Sequence, residues 1–374
     1  MQGLAIIDGS VLEGGGQILR NSISLSALLG KPINIEKVRN SRKPPGLKNQ
    51  HRTGVSSRHN LAGSAHSSSF AGIELAAKIA SAQLTGATNG SSDVSFTPKR
   101  ITPGDYTADS VTAGAVALLL QISLPILLFA RSPTPSTLTL KGGTNATLAP
   151  QVDYIQHVFL PFATRHFGLK VDVDVRRRGY FPKGGGEVHV TVFPGVDGAK
   201  LTAASVLERG AVTRIGGIAH VAGLPAHLAK TMADSAIARL AASGFASDAS
   251  VSVPVDISCT REKNENTVGA GSGIVLWAEL EGGGMIGGSA VGSKQKDAVR
   301  VGEEAADELI KGARGRWMRR RVAGRPDYNL HGARRRTAIW VAEQLTNAKF
   351  QVTVEESGHT IIRCIGIGYS PPSV

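Results

Sequence analysis

The sequence predicts a mixed α/β (α+β) protein built from a repeated unit in which a helix is followed by a strand. At three places the spacing of apolar residues changes from about 3.6 to 2, the change expected where a helix gives way to a strand. A glycine-bordered segment separates the second place from the third. With 374 residues, 41% of them hydrophobic and 19% charged, the chain can bury the cores of two or three domains.

Each of the three units combines an amphipathic helix pattern with an alternating strand pattern. The units are residues 14–39, 149–177 and 337–356. Recurrence of one unit predicts internal repeats. Because the strands alternate apolar and polar residues, we expect sheets that carry helices on one face.

Residues 196–288 predict a smaller inserted α/β domain. This segment has strand and helix patterns of its own, and the glycine-rich stretches "KGGGEVHVTVFPG" and "GGGMIGGSAVGSK" border it. The predicted organisation is therefore a large domain with two units at 1–195, the inserted domain at 196–288 and the third unit at 289–374.

The longest apolar stretch, residues 113–130, predicts a buried helix followed by a strand. It contains Gln121 and Pro125 and is shorter than the roughly 20 residues that span a bilayer, so we expect no membrane partner. The N-terminus has no secretory pattern. Cys259 and Cys364 provide no disulfide framework, which favours the cytoplasm or nucleus over secretion.

The formal net charge of +13 is typical of a protein with a polyanionic partner such as nucleic acid. Residues 311–336 hold ten Lys and Arg and one acid, which gives +9 (10 − 1) and leaves +4 (13 − 9) elsewhere. Residues 312–336 are thus an anomalous Arg-rich segment, and residues 55–72, rich in Ser, Ala, Gly and His, are a second interruption of the pattern.

We interpret 55–72 as an insertion, with an ordinary surface loop as the alternative. For 312–336 the alternatives are an RNA-binding arm and a frame-shifted or mis-spliced translation, and the abrupt loss and recovery of the pattern favours the second. Sequencing the transcript decides both points.

The stretch "DGSVLEGGGQILR", residues 8–20, is a candidate anion-binding turn. Glycines let backbone N–H groups approach an anion, and the start of the following helix adds a favourable dipole. Glu13 is a candidate metal ligand and Arg20 a candidate phosphate partner. The stretch matches neither the Walker nor the dinucleotide pattern, so a purely structural turn is the alternative.

A second candidate is the basic loop at 38–52, which places Arg39, Arg42, Gln50 and His51 around a Pro-Pro-Gly turn. Such a loop suits a phosphate or a nucleic-acid backbone, and a solvated loop is the alternative. Two more lysine-bearing glycine-rich turns lie at 141–154 and 178–188. Together the four turns indicate a phosphate-rich substrate and a nucleotide. The histidines show no zinc-ligand spacing.

These motifs resemble, in order along the chain, those of the RNA 3′-terminal phosphate cyclase family, in its true cyclase branch. The matching stretches are "DGSVLEGGGQILR", "RKPPGLKNQH", "KGGTNATLAPQVDY", "RGYFPKGGGEV", "TAIWVAEQLTNAKF" and the terminal "CIGIG". The resemblance implies a large domain of three repeated α/β units, with a smaller α/β domain inserted before the third.

The resemblance also implies a reaction, namely ATP-dependent conversion of an RNA 3′-terminal phosphate into a 2′,3′-cyclic phosphate. The implied intermediates are an enzyme–AMP and an RNA–adenylate. The implied cofactors are ATP and Mg²⁺ or Mn²⁺, the implied partner is an RNA with a 3′-phosphate end, and the implied location is the nucleus.

Site residues follow from the same resemblance. Glu13 is expected to bind the metal, with Gln17 beside it. The residues expected to surround the phosphates of ATP or RNA, or to line the nucleotide pocket, are Gln17, Arg20, Arg39, Arg42, Gln50, His51, Gln121 and Pro150.

One position departs from the family pattern. The family nucleophile is a histidine three residues before a Thr-Ala pair that opens the last helix, and here Arg334 stands three residues before Thr337. The nearest histidine, His331, is therefore the candidate catalytic residue. The alternative is a catalytically inactive cyclase-like protein that binds RNA or acts in pre-rRNA processing. An enolpyruvyl transferase is a third interpretation, by fold analogy alone.

Overall fold

The computed structural model describes residues 3–12, 14–40, 43, 45–47, 68–111, 113–195, 201, 203–245, 253–314, 330–354 and 360–369, without the side chains of 68–69 and 330–333. It confirms a mixed α/β protein with several separate sheets.

The first sheet has four strands in the order β1-β2-β4-β3. Its strands β1 and β2 are parallel, whereas β4 is antiparallel to both β2 and β3. The elements of this part are β1 (Ala5–Asp8), α1 (Gly16–Leu29), β2 (Ile33–Glu36), α2 (Ser68–Ile79), β3 (Gln83–Thr85) and β4 (Val94–Thr97).

Strands β5 to β8 of the second sheet repeat this topology in the order β5-β6-β8-β7, and among these four only β5 and β6 are parallel. A fifth strand, β11 (Thr267–Val268), pairs in parallel with β7. The elements are β5 (Asp105–Asp109), α3 (Val116–Leu128), β6 (Ser136–Gly142), α4 (Val152–Tyr154), a π-helical turn (Ile155–Phe159), α5 (Leu160–Phe167), β7 (Lys170–Gly179) and β8 (Gly186–Phe193). The units at 14–39 and 149–177 hold different places in this shared topology, because α1 precedes the second strand of its sheet and α5 the third.

Helix α3 is the centre of the main core. Ten of its side chains are buried, and they pack with α1 and α2. The prediction of a strand within 113–130 is wrong, since the helix continues through Pro125 to Leu128. Burial of the Leu and Ile side chains on both sides of Pro125 outweighs the roughly 3 kcal/mol that proline costs inside a helix.

A second core lies in the part of the chain that follows β8. The sheet order is β10-β9-β12-β13, and one face packs against α6 and α7. The elements are β9 (Val212–Ala222), α6 (His227–Leu240), β10 (Val255–Arg261), β11 (Thr267–Val268), β12 (Gly271–Leu280), β13 (Met285–Val291) and α7 (Ala298–Ala313). This core includes Val301 and Leu309 of α7, beyond the predicted boundary at 288.

The last elements are α8 (Leu330–Leu345) and a hairpin of β14 (Lys349–Val354) and β15 (Thr360–Ile365). Helix α8 packs on α1, and Val341 and Leu345 join the main core. Within the residue ranges given above, none of the helices combines the length and the apolarity needed to cross a membrane.

Strand β13 has close neighbours on both faces. A Cβ at position 287 would collide with the ring of Tyr154, and a Cβ at 288 would collide with the backbone of α7 at Ala305 and Leu309. The glycine pair therefore lets two helical segments pack against one strand. Most of the stretch "GGGMIGGSAVGSK" lies in this strand.

The buried side chain of Arg178 forms ion pairs that link the two cores. The guanidinium of Arg178 donates to both carboxylate oxygens of Asp153 at 2.7 and 2.8 Å, and its Nε donates to Glu262 at 2.6 Å. Asp153 belongs to α4, whereas Glu262 directly follows β10. Burial alone raises the pKa of Asp153, but the hydrogen bonds and charge of Arg178 outweigh it and hold that pKa well below its usual range.

His220 of β9 lies fully buried in the same region. Neither of its ring nitrogens has a hydrogen-bond partner among the described residues. Burial, together with the charge of Arg178, lowers the pKa of His220 to about 3, although the charge of Asp153 opposes this shift. The folded protein therefore holds this imidazole neutral at neutral pH.

We expect His220 to make the folded state sensitive to acid. Between pH 6.5 and about 3 the unfolded chain binds a proton at this residue that the folded chain does not bind, so the free energy of unfolding falls as pH falls. The contribution approaches about 1.4 kcal/mol per pH unit. In His220→Leu, the part of this pH dependence of the free energy of unfolding that His220 contributes should disappear. Urea unfolding from pH 7 to pH 4 measures it, and parallel curves for the two proteins would contradict the assignment.

Candidate phosphate and nucleotide site

Two of the predicted turns meet at one edge of the first sheet. Because β1 and β2 are parallel, the turn after Asp8 and the turn after Glu36 follow the same ends of their strands. Lys37 Nζ bridges to Asp8 Oδ2 at 2.9 Å. Hydrogen bonds from Ser10 and Lys37 lower the pKa of Asp8 to about 2. Arg39 lies half-buried in the second turn, with a left-handed φ of 55°.

The glycine-rich turn leads into α1 without a side-chain cap. Gly15 is the N-cap residue in an extended conformation, and no side chain accepts a hydrogen bond from the first turn at this cap. Gly14 has a φ of 55°. The first N–H groups of α1 are thus oriented for an anion, as the motif predicts.

Three helices bring predicted residues together next to this turn. Arg20 of α1 donates from Nε to Oε1 of Gln121 in α3 at 2.7 Å. Gln17 of α1 donates from Nε2 to the backbone carbonyl of Arg334 in α8 at 3.0 Å. The contacts join positions 101 and 317 residues apart in sequence, so the fold alone assembles this cluster.

Position 334, at which the sequence departs from the family pattern, lies in helix α8. Arg334 lies against Gln17, and Thr337 is fully buried. His331 lies one turn earlier in the same helix, about 4.5 Å along its axis, and its side chain is outside the described residues. Residues three apart share a helix face, so positions 331 and 334 lie on the same side of α8.

Pro150 lies in a separate, firmly held turn between β6 and α4. Asn145 donates to Gln151 Oε1 at 2.8 Å, and Gln151 Nε2 donates to the carbonyls of Ile274 and Ala290 at 3.1 and 3.2 Å. The two carbonyls belong to β12 and β13. The turn that bears Pro150 is thereby anchored in both cores.

Several residues of this anchoring network were not singled out from the sequence. They are Asn145, Gln151, Asp153 and Arg178, all buried. The motifs that contain them were noticed for their glycines and lysines, but Lys183 is exposed and the buried polar residues make the contacts. The sequence signal that could have revealed this network is the cluster of Asn, Gln and Asp at the start of a helix.

Some predicted site residues fall outside the described part of the chain. They are Glu13, Arg42, Gln50 and His51. Of the predicted insertion at 55–72, the structure describes residues 68–72, which form the start of α2, and Gly72 packs against Ile122 of α3. No three His, Cys, Asp or Glu side chains come together as metal ligands in the part that the structure describes.

The strand–helix–strand topology seen in both sheets defines a mixed α/β protein in which cationic and amide side chains lie beside the ends of parallel strands. A family model described as RNA 3′-terminal phosphate cyclase matches residues 11–70 and 65–352. The chain therefore belongs to the RNA 3′-terminal phosphate cyclase family, a family of enzymes.

Individual relatives agree with this membership. An RNA 3′-terminal phosphate cyclase of Pyrobaculum neutrophilum is 40% identical over 81% of this chain and 78% of the relative. One of Pyrobaculum aerophilum is 36% identical over 97% of this chain and 99% of the relative. One of Drosophila melanogaster is 34% identical over 97% and 96%.

The bond between Gln17 and α8 predicts a local effect. In Gln17→Leu the carbonyl of Arg334 loses its donor, so the start of α8 should open more often and its backbone amides should exchange about 5-fold faster. Hydrogen exchange measured by mass spectrometry checks this. The control is Gln156→Leu, which removes the equivalent amide bond to Val173 in the second sheet. Equal protection of α8 in both variants would contradict the prediction.

Proposed function

We propose that this chain converts the 3′-terminal phosphate of RNA into a 2′,3′-cyclic phosphate at the expense of ATP. The observation that carries the proposal is the pair of contacts from Arg20 to Gln121 and from Gln17 to the backbone of α8, because they join three separate parts of the chain that resemble the family. We expect a nuclear or cytoplasmic location, with RNA as the partner.

The side chains of the cluster have distinct roles. Arg20 and Arg39, with Arg42, offset the negative charge of the phosphates. The bond from Gln121 fixes the plane of the Arg20 guanidinium, and the uncapped start of α1 adds backbone N–H donors. Gln50, His51 and Pro150 line the nucleotide pocket.

The donor set near α1 fits a magnesium or manganese ion held largely by phosphate oxygens. Mg²⁺ commonly uses one or two carboxylates, waters and substrate phosphates, and no cluster of three side-chain ligands is present among the described residues. Glu13 is the proposed protein ligand. When bound, such an ion offsets the charge that develops on phosphate oxygens.

His331 is the proposed nucleophile. Its attack on the α-phosphorus of ATP releases pyrophosphate and forms the enzyme–AMP. The AMP passes to the RNA 3′-phosphate, which frees the imidazole and gives that phosphate a leaving group. The neighbouring 2′-hydroxyl then attacks the phosphorus, and AMP leaves as the ring closes. Position 331 suits this role in that it shares a helix face with position 334, one turn away.

One observation favours a second function. Arg334 stands at the family's nucleophile position, and its backbone is bonded to Gln17. An arginine there binds phosphate but cannot act as a nucleophile, because its guanidinium stays protonated. The second candidate is therefore a cyclase-like protein that binds RNA ends without catalysis, in the processing of ribosomal RNA.

Labelling with ATP separates the two functions. The full chain is incubated with [α-³²P]ATP and Mg²⁺, and a 3′-phosphorylated oligoribonucleotide is tested for cyclisation in parallel. We expect a covalent label that His331→Ala abolishes. No label and no cyclisation, together with retained binding of the oligoribonucleotide, would replace the proposal by the second candidate. Arg334→His restores the family spacing, so its label should appear even without His331.

Arg20 should be required for activity. Arg20→Ala removes a cation from the phosphates and its contact with Gln121, and we expect kcat/KM to fall about 100- to 1,000-fold. The matched control is Arg176→Ala, since Arg176 pairs with Asp174 on an exposed strand of the second sheet. A fall of the same size in both variants would contradict the assignment.

A further inference from the structure

A cleft lies between the two cores, apart from the residues assigned above. Its volume is about 280 Å³, at the small end of the range for ligand pockets. One wall is α5 with the turn before it, and the other is formed by β12, β13 and the hairpin between them. The lining residues are His157, Pro161, Phe162, Arg165, Trp277, Glu279, Gly283, Gly284 and Met285.

The helical wall arises from sequence spacing. His157, Pro161 and Arg165 recur at every fourth residue and so share one face of the helical segment. On the opposite wall, Trp277 and Glu279 alternate on one face of β12, and Met285 lies across from Glu279 in β13. This is the face of the sheet β10-β9-β12-β13 that turns away from α6 and α7.

Aromatic rings form the inner surface of the cleft. The rings of His157 and Trp277 stack with centroids 4.9 Å apart and planes 11° from parallel. The indole lies over Gly216, where a Cβ would collide with it. Phe162 is half-buried beside them. Burial lowers the pKa of His157, which keeps its ring neutral and suited to stacking.

Two opposite charges stand at the cleft. Arg165 is exposed and Glu279 is half-buried. Neither takes part in an ion pair with another residue of the described ranges. Aromatic surface with a guanidinium binds single-stranded nucleic acid, in which bases stack on rings and cations contact phosphates. A carboxylate beside it accepts a hydrogen bond from a base amino group.

The distance of the cleft from Pro150 follows from the helical segment that joins them. Pro150 directly precedes this helical segment, and His157 and Arg165 lie about 10 and 22 Å further along it at 1.5 Å per residue. That distance corresponds to roughly three to six stacked nucleotides at 3.4 Å each. An RNA strand whose 3′ end lies next to the nucleotide pocket lined by Pro150 has only its 5′ portion available to reach the cleft.

We propose that this cleft binds an unpaired base of an RNA strand, a few nucleotides before its 3′ end. The base packs against the rings of His157 and Phe162, with Trp277 supporting the imidazole from behind. Arg165 contacts an adjacent phosphate, and Glu279 accepts from an amino group. Cytosine is therefore bound in preference to uracil. The inference rests on the proposed function only in taking RNA as the ligand, and it requires neither ATP nor catalysis.

Binding of oligoribonucleotides with 3′-hydroxyl ends tests the proposal, since these ends cannot be cyclised. Fluorescence anisotropy compares an eight-nucleotide oligocytidine, an eight-nucleotide oligouridine and a dinucleotide. We expect Phe162→Ala to weaken binding of the eight-nucleotide probe about 5-fold or more. Arg165→Ala should reduce the slope of log K against log salt by about 0.7 for that probe. Neither change should affect the dinucleotide.

Further variants make the outcome specific. Glu279→Gln should abolish the preference for cytidine over uridine, because an amide both accepts and donates. Arg176→Ala is the control for general loss of positive charge. Equal binding of the eight-nucleotide probe by wild type, Phe162→Ala and Arg165→Ala overturns the proposal, as does a wild type that does not bind it. Cleft-dependent binding without cyclisation would leave this inference standing and remove the proposed activity.

Discussion

Arg178, which pairs with Asp153 beside the main core and with Glu262 of the second core, provides the interaction on which the arrangement of the two cores depends. One side chain leaves the end of β7 and the other begins α4, and Glu262 adds a third charge from the second core. Breaking such a buried pair typically costs about 3–5 kcal/mol, because the remaining charge stays in a poorly solvated place. The same residues border the turn that carries Pro150, so the geometry of a candidate substrate pocket and the docking of the second core are secured together.

The parallel strand pairs determine where the candidate phosphate-binding turns lie. The parallel pair of β1 and β2 in the first sheet and the parallel pair of β5 and β6 in the second each bring two turns to one edge, and in the first sheet these are the two turns that the sequence predicts to bind phosphate. Helices α1, α3 and α8 converge beside that edge, and their side chains add amide and cationic groups to the backbone donors. A site assembled from several elements in this way is held by packing more than by any one loop.

The sequence was sufficient for the fold class, since periodicity reports which face of an element is buried. It failed where the deciding contact is distant. Glycines 287 and 288 resemble a linker until Tyr154 and α7 are placed on either side of them, and Pro125 suggests a helix end until the core around α3 is assembled. The proximity of Gln121 to Gln17 and Arg20 could be expected only from resemblance to a family, because no local pattern links residues a hundred positions apart. The roles of Glu13, Arg42, Gln50 and His51 stay predictions.

The proline in α3 has a consequence for the residue four positions before it. Proline has no N–H, so the carbonyl of Gln121 cannot receive the hydrogen bond that position 125 would otherwise give. Gln121 is also the exposed residue of a helix whose side chains are mostly buried. One residue therefore offers two kinds of acceptor, a side-chain oxygen that orients Arg20 and a main-chain oxygen released from the helix ladder. The main-chain acceptor is a consequence of Pro125, so no substitution at Gln121 itself would remove it.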